Sequence, residues 1–427
     1  MRRFEETMAH LAGVSAYARL SDRLNRFPQG APPSELLFAI LKLLFSEKEA
    51  GLVARLPIRP FTVADAARAW KMKSAAARAI LDGLADRAIL VDMPQNGTQF
   101  YCLPPPMAGF FEFSLMRLRH DIDQKALSEL FYQYLNVEED FIKALFLDGQ
   151  TPLGRVFVQE SALSEANALH VLDYERASEV IRSASHIGIS LCYCRHKMAH
   201  VGRDCAAPKD ICMTFNTTAA SLIKHGHARP VEVPECIDLL QAACAHNLAQ
   251  FGENVRQGVN FICNCCGCCC EAMLAIRRFG LTRPIHSNFI ARVDAAACTG
   301  CGLCAAVCPV LAIAPPAAGA AGPAIIDAAL CLGCGVCVRN CPAAAVFLDP
   351  RPDRVLTPLD TVTRTVVMAV ERGTLQHLIC DNQVLSSFRA LAAVLGAILK
   401  LPPLKRALAS RLLQSRYLEA VIDRLAG

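Results

Sequence analysis

The sequence predicts an α+β chain built from several domains, and three observations carry that expectation. Residues 34–105 run amphipathic helical stretches into two strand-like segments around Asn96-Gly97. Residues 106–286 twice lead a helical stretch into a short apolar strand that ends in cysteines. Residues 287–350 hold two copies of one cysteine pattern. In order, the chain reads as an N-terminal helix (1–33), a helix-and-hairpin domain (34–105), a central cysteine-rich α/β domain (106–286), a compact cysteine-repeat domain (287–350) and a helical C-terminal segment (351–427).

The first boundary falls at "RFPQGAPP", where Pro and Gly interrupt the helical pattern. Ser34 is placed to cap a helix over "SELLFAILKLLFSEKEA". Thr62 caps "TVADAARAW", in which Val63, Ala66, Ala67 and Trp70 recur at helical spacing. The turn "KMK" leads to Ser74 and "SAAARAILDGLADRAI". "AILVDMPQNGTQFYCLP" then reads as a hairpin on Asn96-Gly97, because both turn residues tolerate positive φ. Three helices followed by a β-wing predict a winged-helix domain.

Residues 106–190 read as largely helical, with "HVLDYERASEVIRSASHIGISLCYC" a helix entering the strand "IGISL". "CIDLLQAACAHNLAQFGENV" reads as a second helix, followed by "VNFI". The two strands deliver the chain to Cys192 and Cys263, which suggests two ligand loops converging on one site. Beyond 350, Thr357-Pro358 forms a cap-plus-first-turn pair before "LDTVTRTVVMAVERG", and "LPPLKRALASRLLQSRYLEAVIDRLAG" reads as amphipathic helices.

"CTGCGLCAAVCP" begins at Cys298 and "CLGCGVCVRNCP" at Cys331, so each is C-x-x-C-x-x-C-x-x-x-C-P. Three thiolates at this spacing wrap one Fe–S cube, and the fourth, before Pro, reaches the neighbouring cube. That assigns Cys298, Cys301, Cys304 and Cys341 to one 4Fe-4S cluster, and Cys308, Cys331, Cys334 and Cys337 to the other. A pair of zinc ribbons fits less well, since zinc knuckles come as separated C-x-x-C pairs. Residues 287–350 resemble a bacterial-type two-cluster ferredoxin domain, and the resemblance implies one-electron transfer. The spacer "VLAIAPPAAGAAGPAIIDAAL" reads as a surface loop.

A second cysteine field supplies Cys192, Cys194, Cys205 and Cys212 from "CYCRHKMAHVGRDCAAPKDIC", and Cys263, Cys265, Cys266, Cys268, Cys269 and Cys270 from "CNCCGCCC". Three readings stay open for it. It is a further metal centre, as a third Fe–S cluster or another soft-metal site. It is a reactive thiol site, with thiolates favoured at the start of the helix "CEAMLAIRRFG". Or it is a set of buried reduced cysteines acting as small hydrophobes. No C-x-x-C-H occurs, which argues against a c-type haem. His196 and His200, four apart, are read as neighbours of the site rather than ligands, and Arg195 and Lys197 as its counter-charges. Cys102, Cys236, Cys244 and Cys380 fall in apolar or helical pattern and are expected in the core.

A chain of 427 residues with 22 cysteines has room for a hydrophobic core and needs no disulfide staples. The start "MRRFEETMAHLAG" lacks an apolar leader, so a reducing cytoplasm is expected. The net charge of +5 does not call for nucleic acid. No stretch is long enough to span a membrane. "ALAAVLGAIL" (390–399) is expected in a helix interface, with peripheral membrane contact through the C-terminal helices as the alternative.

The whole arrangement is similar to a group of anaerobic bacterial proteins known as 4Fe-4S ferredoxin-type proteins. It shares with them a winged-helix-like segment, Cys192-Tyr-Cys194-Arg195, the run from Cys205 through Pro208 to Cys212, Ile262-Cys263-Asn264-Cys265-Cys266 and the ferredoxin repeat. The wider cysteine spacing of heterodisulfide reductases is not matched. The expectation is therefore an electron-transfer protein or redox subunit rather than a stand-alone enzyme, working with a redox partner protein. A redox-sensing winged-helix regulator is one alternative; its helix 74–87 offers only Arg78 and Arg87, with Lys71 and Lys73 ahead. A reductase with chemistry in the central field is the other. No nucleotide loop or acid–base pair is evident.

Overall fold

The computed structural model describes residues 15–146, 149–280, 285–316 and 322–379. Expectations placed on 1–14 and on 380–427, including Cys380, "ALAAVLGAIL" and the C-terminal amphipathic helices, lie outside the described residues. Helix and strand are both well represented, as expected for an α+β chain. The chain forms two compact units, one from residues 1–114, 118–145 and 366–427, the other from 115–117 and 146–365.

In the first unit, Ser34 caps the helix Glu35–Leu44 through the Leu37 N–H. The single helix expected over 34–50 is two helices. Phe45 turns extended, and Ser46 starts Glu47–Val53 with a capping box to Glu49. The S-x-x-E pattern at 46–49 was the sequence signal for that break. Strand β1 (Phe61–Thr62) leads into Val63–Trp70, which Thr62 and Asp65 cap reciprocally. Lys71 closes this helix with φ 54°, and Ser74–Asp86 follows. Strands β2 (Val91–Gln95) and β3 (Thr98–Cys102) form the hairpin on Asn96-Gly97, and the sheet order is β1-β3-β2. A chain of rings, Phe45, Phe110, Phe111, Phe131, Phe141 and Tyr134, fills the core, with adjacent centroids 4.9–6.1 Å apart.

The second unit is built on an antiparallel sheet of β4 (Gly154–Phe157), β5 (Ile187–Leu191), β6 (Asp210–Phe215), β7 (Arg229–Pro230), β8 (Ala249–Glu253) and β9 (Phe261–Cys265). Its order is β4-β8-β9-β6-β5-β7. Strand β4 interrupts the helical reading of 106–190. Strand β8 corrects the helix expected through 255: the helix Val233–Ala245 ends before Asn247, at φ 56°, and the next residues enter the sheet fully buried. β5 and β9 do not pair with each other. Each pairs antiparallel with β6, from opposite sides, so they run parallel and release the chain at the same end of the sheet.

The cysteine repeat carries β10 (Phe289–Val293) paired with β13 (Val346–Pro350) over five residue pairs. The spacer read as a loop contains two short strands: β11 (Ile313–Ala314) and β12 (Ile325–Ile326) pair antiparallel. Further on, Asp360 rather than Thr357 caps the helix Thr361–Arg372, through the Thr363 N–H at 2.7 Å. Thr357, Pro358 and Leu359 instead present their carbonyls to Arg256.

Candidate metal centres

The repeat folds each of its copies the same way. A positive-φ pair of glycines, Gly300/Gly302 and Gly333/Gly335, turns the chain into a single-turn helix, Leu303–Ala306 or Val336–Arg339. Gly333 has no alternative. At φ 64° a Cβ there would overlap the Phe289 carbonyl oxygen. The turns carry the thiols to two cavities. The lining of one includes Cys298, Cys301, Cys304 and Cys341. The lining of the other includes Cys308, Cys331, Cys334 and Cys337. Each cavity thus takes three cysteines from one copy and the fourth from the other, the grouping that the spacing predicts.

The donor chemistry around these cavities suits an anionic metal–sulfur group. The Ala312 N–H donates to Cys308 Sγ at 3.3 Å and the Ala291 N–H to Cys331 Sγ at 3.5 Å. Burial pushes the thiols of Cys304 and Cys308 up, and that of Cys334 up to about 12, so they hold protons until a metal displaces them. Thiolate sulfurs with backbone donors and little water fit iron–sulfur chemistry.

Residues 297–345 match the 4Fe-4S dicluster domain family.

That segment is a ferredoxin-type iron–sulfur domain, and 4Fe-4S chemistry belongs to it. No curated protein and no solved structure matches the chain.

The central field lies beside the dicluster domain. Cys192 sits at the N-cap of the helix Tyr193–His200, directly after β5, with Cys194 in its first turn. Cys263 and Cys265 lie on β9, two apart and on one face. The ladder pairs Met213 with Ile262, so continuing it by one residue sets Cys212 opposite Cys263. Cys270 is the N-cap of the helix Glu271–Phe279, and its Sγ lies 3.2 Å from Cys265 Sγ. Hydrogen bonds also join Cys192 to Cys194, Cys194 to Cys270, and Cys263 to both Cys212 and Cys265. These six thiols form one continuous set.

The other four central cysteines form a second set. Cys205, on the loop after the helix Tyr193–His200, meets Cys266, Cys268 and Cys269 from the turn after β9. All four sulfurs lie within 4.8 Å of one another. The ten candidates are therefore brought together, but as six and four.

Charge accumulates across this field. The Cys194 hydrogen bond draws Cys192 down, those of Cys212 and Cys265 hold Cys263 well down, and those of Cys194 and Cys265 do the same for Cys270. The Cys269 hydrogen bond, with the Arg195 charge, brings Cys266 down to about 5. Arg195 is fully buried. Burial works against its charge, but Cys192, Cys266, Cys265 and Cys205 outweigh that cost and keep it protonated. Its Nη2 donates to the Asn264 carbonyl at 2.7 Å, while Nε and Nη1 have no partner. A buried guanidinium with two unpartnered nitrogens beside a nest of thiols suits an anionic group held there. Lys197 is committed elsewhere: it pairs with Glu271 in a fully buried bridge that joins the two cysteine-bearing helices. His196 Nδ1 donates to the Leu115 carbonyl (2.7 Å), and its Nε2 lies 3.2 Å from the Nε2 of His200.

Sequence reasoning missed the join between the central field and the dicluster domain. Cys265 and Cys270 share one apolar cluster with Cys304, Cys308, Cys331, Cys334 and Cys337. The Arg277 Nε donates to the carbonyl of Pro309, next to Cys308, at 2.8 Å. Gly267 packs so closely on that carbonyl that a Cβ would overlap it. A buried amide chain runs alongside: Gln250 donates to Asn264 (3.0 Å), Gln159 donates to Gln250 (3.2 Å), and the Gln159 N–H bonds the Cys334 carbonyl (2.9 Å). The scattered glutamines at 159 and 250 gave no pattern to find. Of the cysteines expected in the core, Cys236 is buried, whereas Cys102 and Cys244 are only half-buried.

Proposed function

We propose that this chain is an electron-transfer protein carrying two 4Fe-4S clusters and a further metal centre, working between a soluble donor and a redox partner protein. Cys298, Cys301, Cys304 and Cys341 hold one cluster; Cys308, Cys331, Cys334 and Cys337 hold the other. The observation that carries this reading is the shared cluster of buried residues that contains both dicluster and central-field cysteines, Cys265 and Cys270 with Cys308 and Cys334 among them. Each cluster, when bound, supplies one-electron chemistry. The chain contributes the thiolates and the N–H donors of Ala291 and Ala312, and buries Cys304, Cys308, Cys331, Cys334 and Cys337. In the central field, Arg195 offsets the thiolate charge. A cytoplasmic setting accords with this many reduced thiols. Among the described residues no helix is long and apolar enough to cross a membrane.

Anaerobic iron and sulfide analysis tests the proposal. About eight irons and eight sulfides per chain are expected from the dicluster domain alone. The Cys298→Ala/Cys331→Ala variant should lose most of them. An unchanged iron content would overturn the assignment.

A second reading, a redox-sensing regulator, draws support from the first unit. Its helices, its β1-β3-β2 sheet and an exposed hairpin tip at 94–98 suit a winged helix. Against DNA, Arg87 is held by Glu49 at 2.5 Å, which leaves Arg78 with little support on Ser74–Asp86. A winged helix also serves as a protein-docking module. Retardation of genomic fragments at low salt would favour the regulator.

A further inference from the structure

We infer that the central field holds two separate centres, and that Cys205, Cys266, Cys268 and Cys269 bind one mononuclear metal ion, zinc or a single iron, in a closed tetrahedral site. This deepens the proposed further centre by dividing it; it does not depend on the electron-transfer role.

The geometry of the sulfurs is the argument. A tetrahedral thiolate ion with metal–sulfur bonds of about 2.3 Å has sulfur–sulfur edges of about 3.8 Å. Here Cys268 and Cys269 are 3.7 Å apart, Cys269 and Cys205 are 3.9 Å apart, and no pair exceeds 4.8 Å. A four-iron cube places each thiolate on its own iron corner and spreads them farther. The dicluster sulfurs line two pockets, and among the described residues they form no group of ligand atoms as close as this one. The four thiols therefore fit one ion and not a cube.

The donor set is also complete. Four thiolates leave no open position, which is the pattern of a structural rather than a catalytic ion. Soft sulfur ligands select zinc or iron over magnesium or calcium. The ligands come from two segments, the loop after the helix Tyr193–His200 and the turn after β9, with sixty residues between Cys205 and Cys266. A salt bridge from Lys209 to Asp204 at 2.7 Å shapes the loop, and Gly267 allows the turn to lie against the Pro309 carbonyl. An ion there would pin the two segments together. It would also fix the start of the turn whose end delivers Cys270 to the six-thiol set.

Inorganic sulfide separates the alternatives, because a mononuclear site contains none. The full chain is purified anaerobically as wild type, as Cys268→Ser/Cys269→Ser, as Cys268→His and as Cys265→Ser/Cys270→Ser. Metals and acid-labile sulfide are then counted per chain. The first variant should lose one metal ion and no sulfide. Cys268→His, which keeps a tetrahedral donor, should retain the ion. Cys265→Ser/Cys270→Ser should retain it as well. Loss of iron together with sulfide in the first variant would place a cluster at these cysteines and overturn the proposal. So would no loss of metal, as when Cys205 and Cys269 simply form a disulfide. Should the double variant not fold, the wild-type chain decides. Zinc-edge absorption should show four sulfur neighbours at about 2.3 Å, or Mössbauer spectra one high-spin iron outside the clusters; the absence of both signals would overturn the proposal. Absence of dicluster iron in the wild type would instead count against the electron-transfer reading.

Discussion

The cysteines of the dicluster domain stand around open space, and those of the central field stand against one another. In the first region, eight thiols line two cavities, each with a fixed share from both sequence copies. In the second, ten thiols gather into sets of six and four, linked by sulfur–sulfur contacts and by a buried arginine. The difference shows what holds a ligand in place. In the repeat, local backbone does it: two positive-φ glycines and one turn of helix. In the central field, tertiary structure does it, through a sheet, two helix N-termini and a buried ion pair.

Four changes would break or sharpen this contrast. The largest effect is expected from Cys331→Ala, which should remove about four of the eight dicluster irons and leave the central metals in place. Metal and sulfide counts on the anaerobic protein would measure it. Next comes Glu271→Gln, which strips the counter-charge from the fully buried Lys197. It should destabilise the second unit by about 3–5 kcal/mol, read from the denaturant midpoint, whereas no comparably buried ion pair is found at the repeat's turns among the described residues. Gly333→Ala forces a side chain into a left-handed position against the Phe289 carbonyl. A cost of about 1–3 kcal/mol should appear as faster iron loss from the Cys308/Cys331/Cys334/Cys337 group under chelator, with the Cys298 group unaffected. The smallest effect belongs to Gln159→Leu. It leaves Gln250 and Arg339 short of a partner and should lower stability by about 1–2 kcal/mol with iron content unchanged. A drop in iron from that variant would show that the amide chain supports the clusters as well as the fold.

The legibility of the two regions in the sequence follows the same divide. C-x-x-C-x-x-C-x-x-x-C-P is a local pattern, and local backbone carries it out, so the iron–sulfur character of residues 297–345 was readable from spacing alone. The caps at Ser34 and Thr62 and the Asn96-Gly97 hairpin were readable for the same reason. The strand Ala249–Glu253 was not, because "LAQFGE" continues a helical pattern and only burial between β4 and β9 makes it extended. In the central field, composition disclosed the ten candidates but not their division. That division depends on where β9 ends and its turn begins and on a loop returning from Arg203 to Lys209, neither of which a linear spacing encodes. The role of β6 as the strand between β5 and β9 was likewise hidden, since pairing partners are set by the whole sheet.

The crossed membership of the two dicluster cavities has a consequence for biosynthesis. One cavity needs Cys341 and the other needs Cys331, Cys334 and Cys337, although the first cysteine of the domain is Cys298. On a ribosome, the first copy of the repeat emerges with three thiols for one site and a lone fourth for another, and neither site has its full set. Both sets of four thiols therefore become complete within the same short stretch of translation, once residues 331–341 have cleared the exit tunnel. Until then the nascent chain exposes thiols that belong together only in the finished domain.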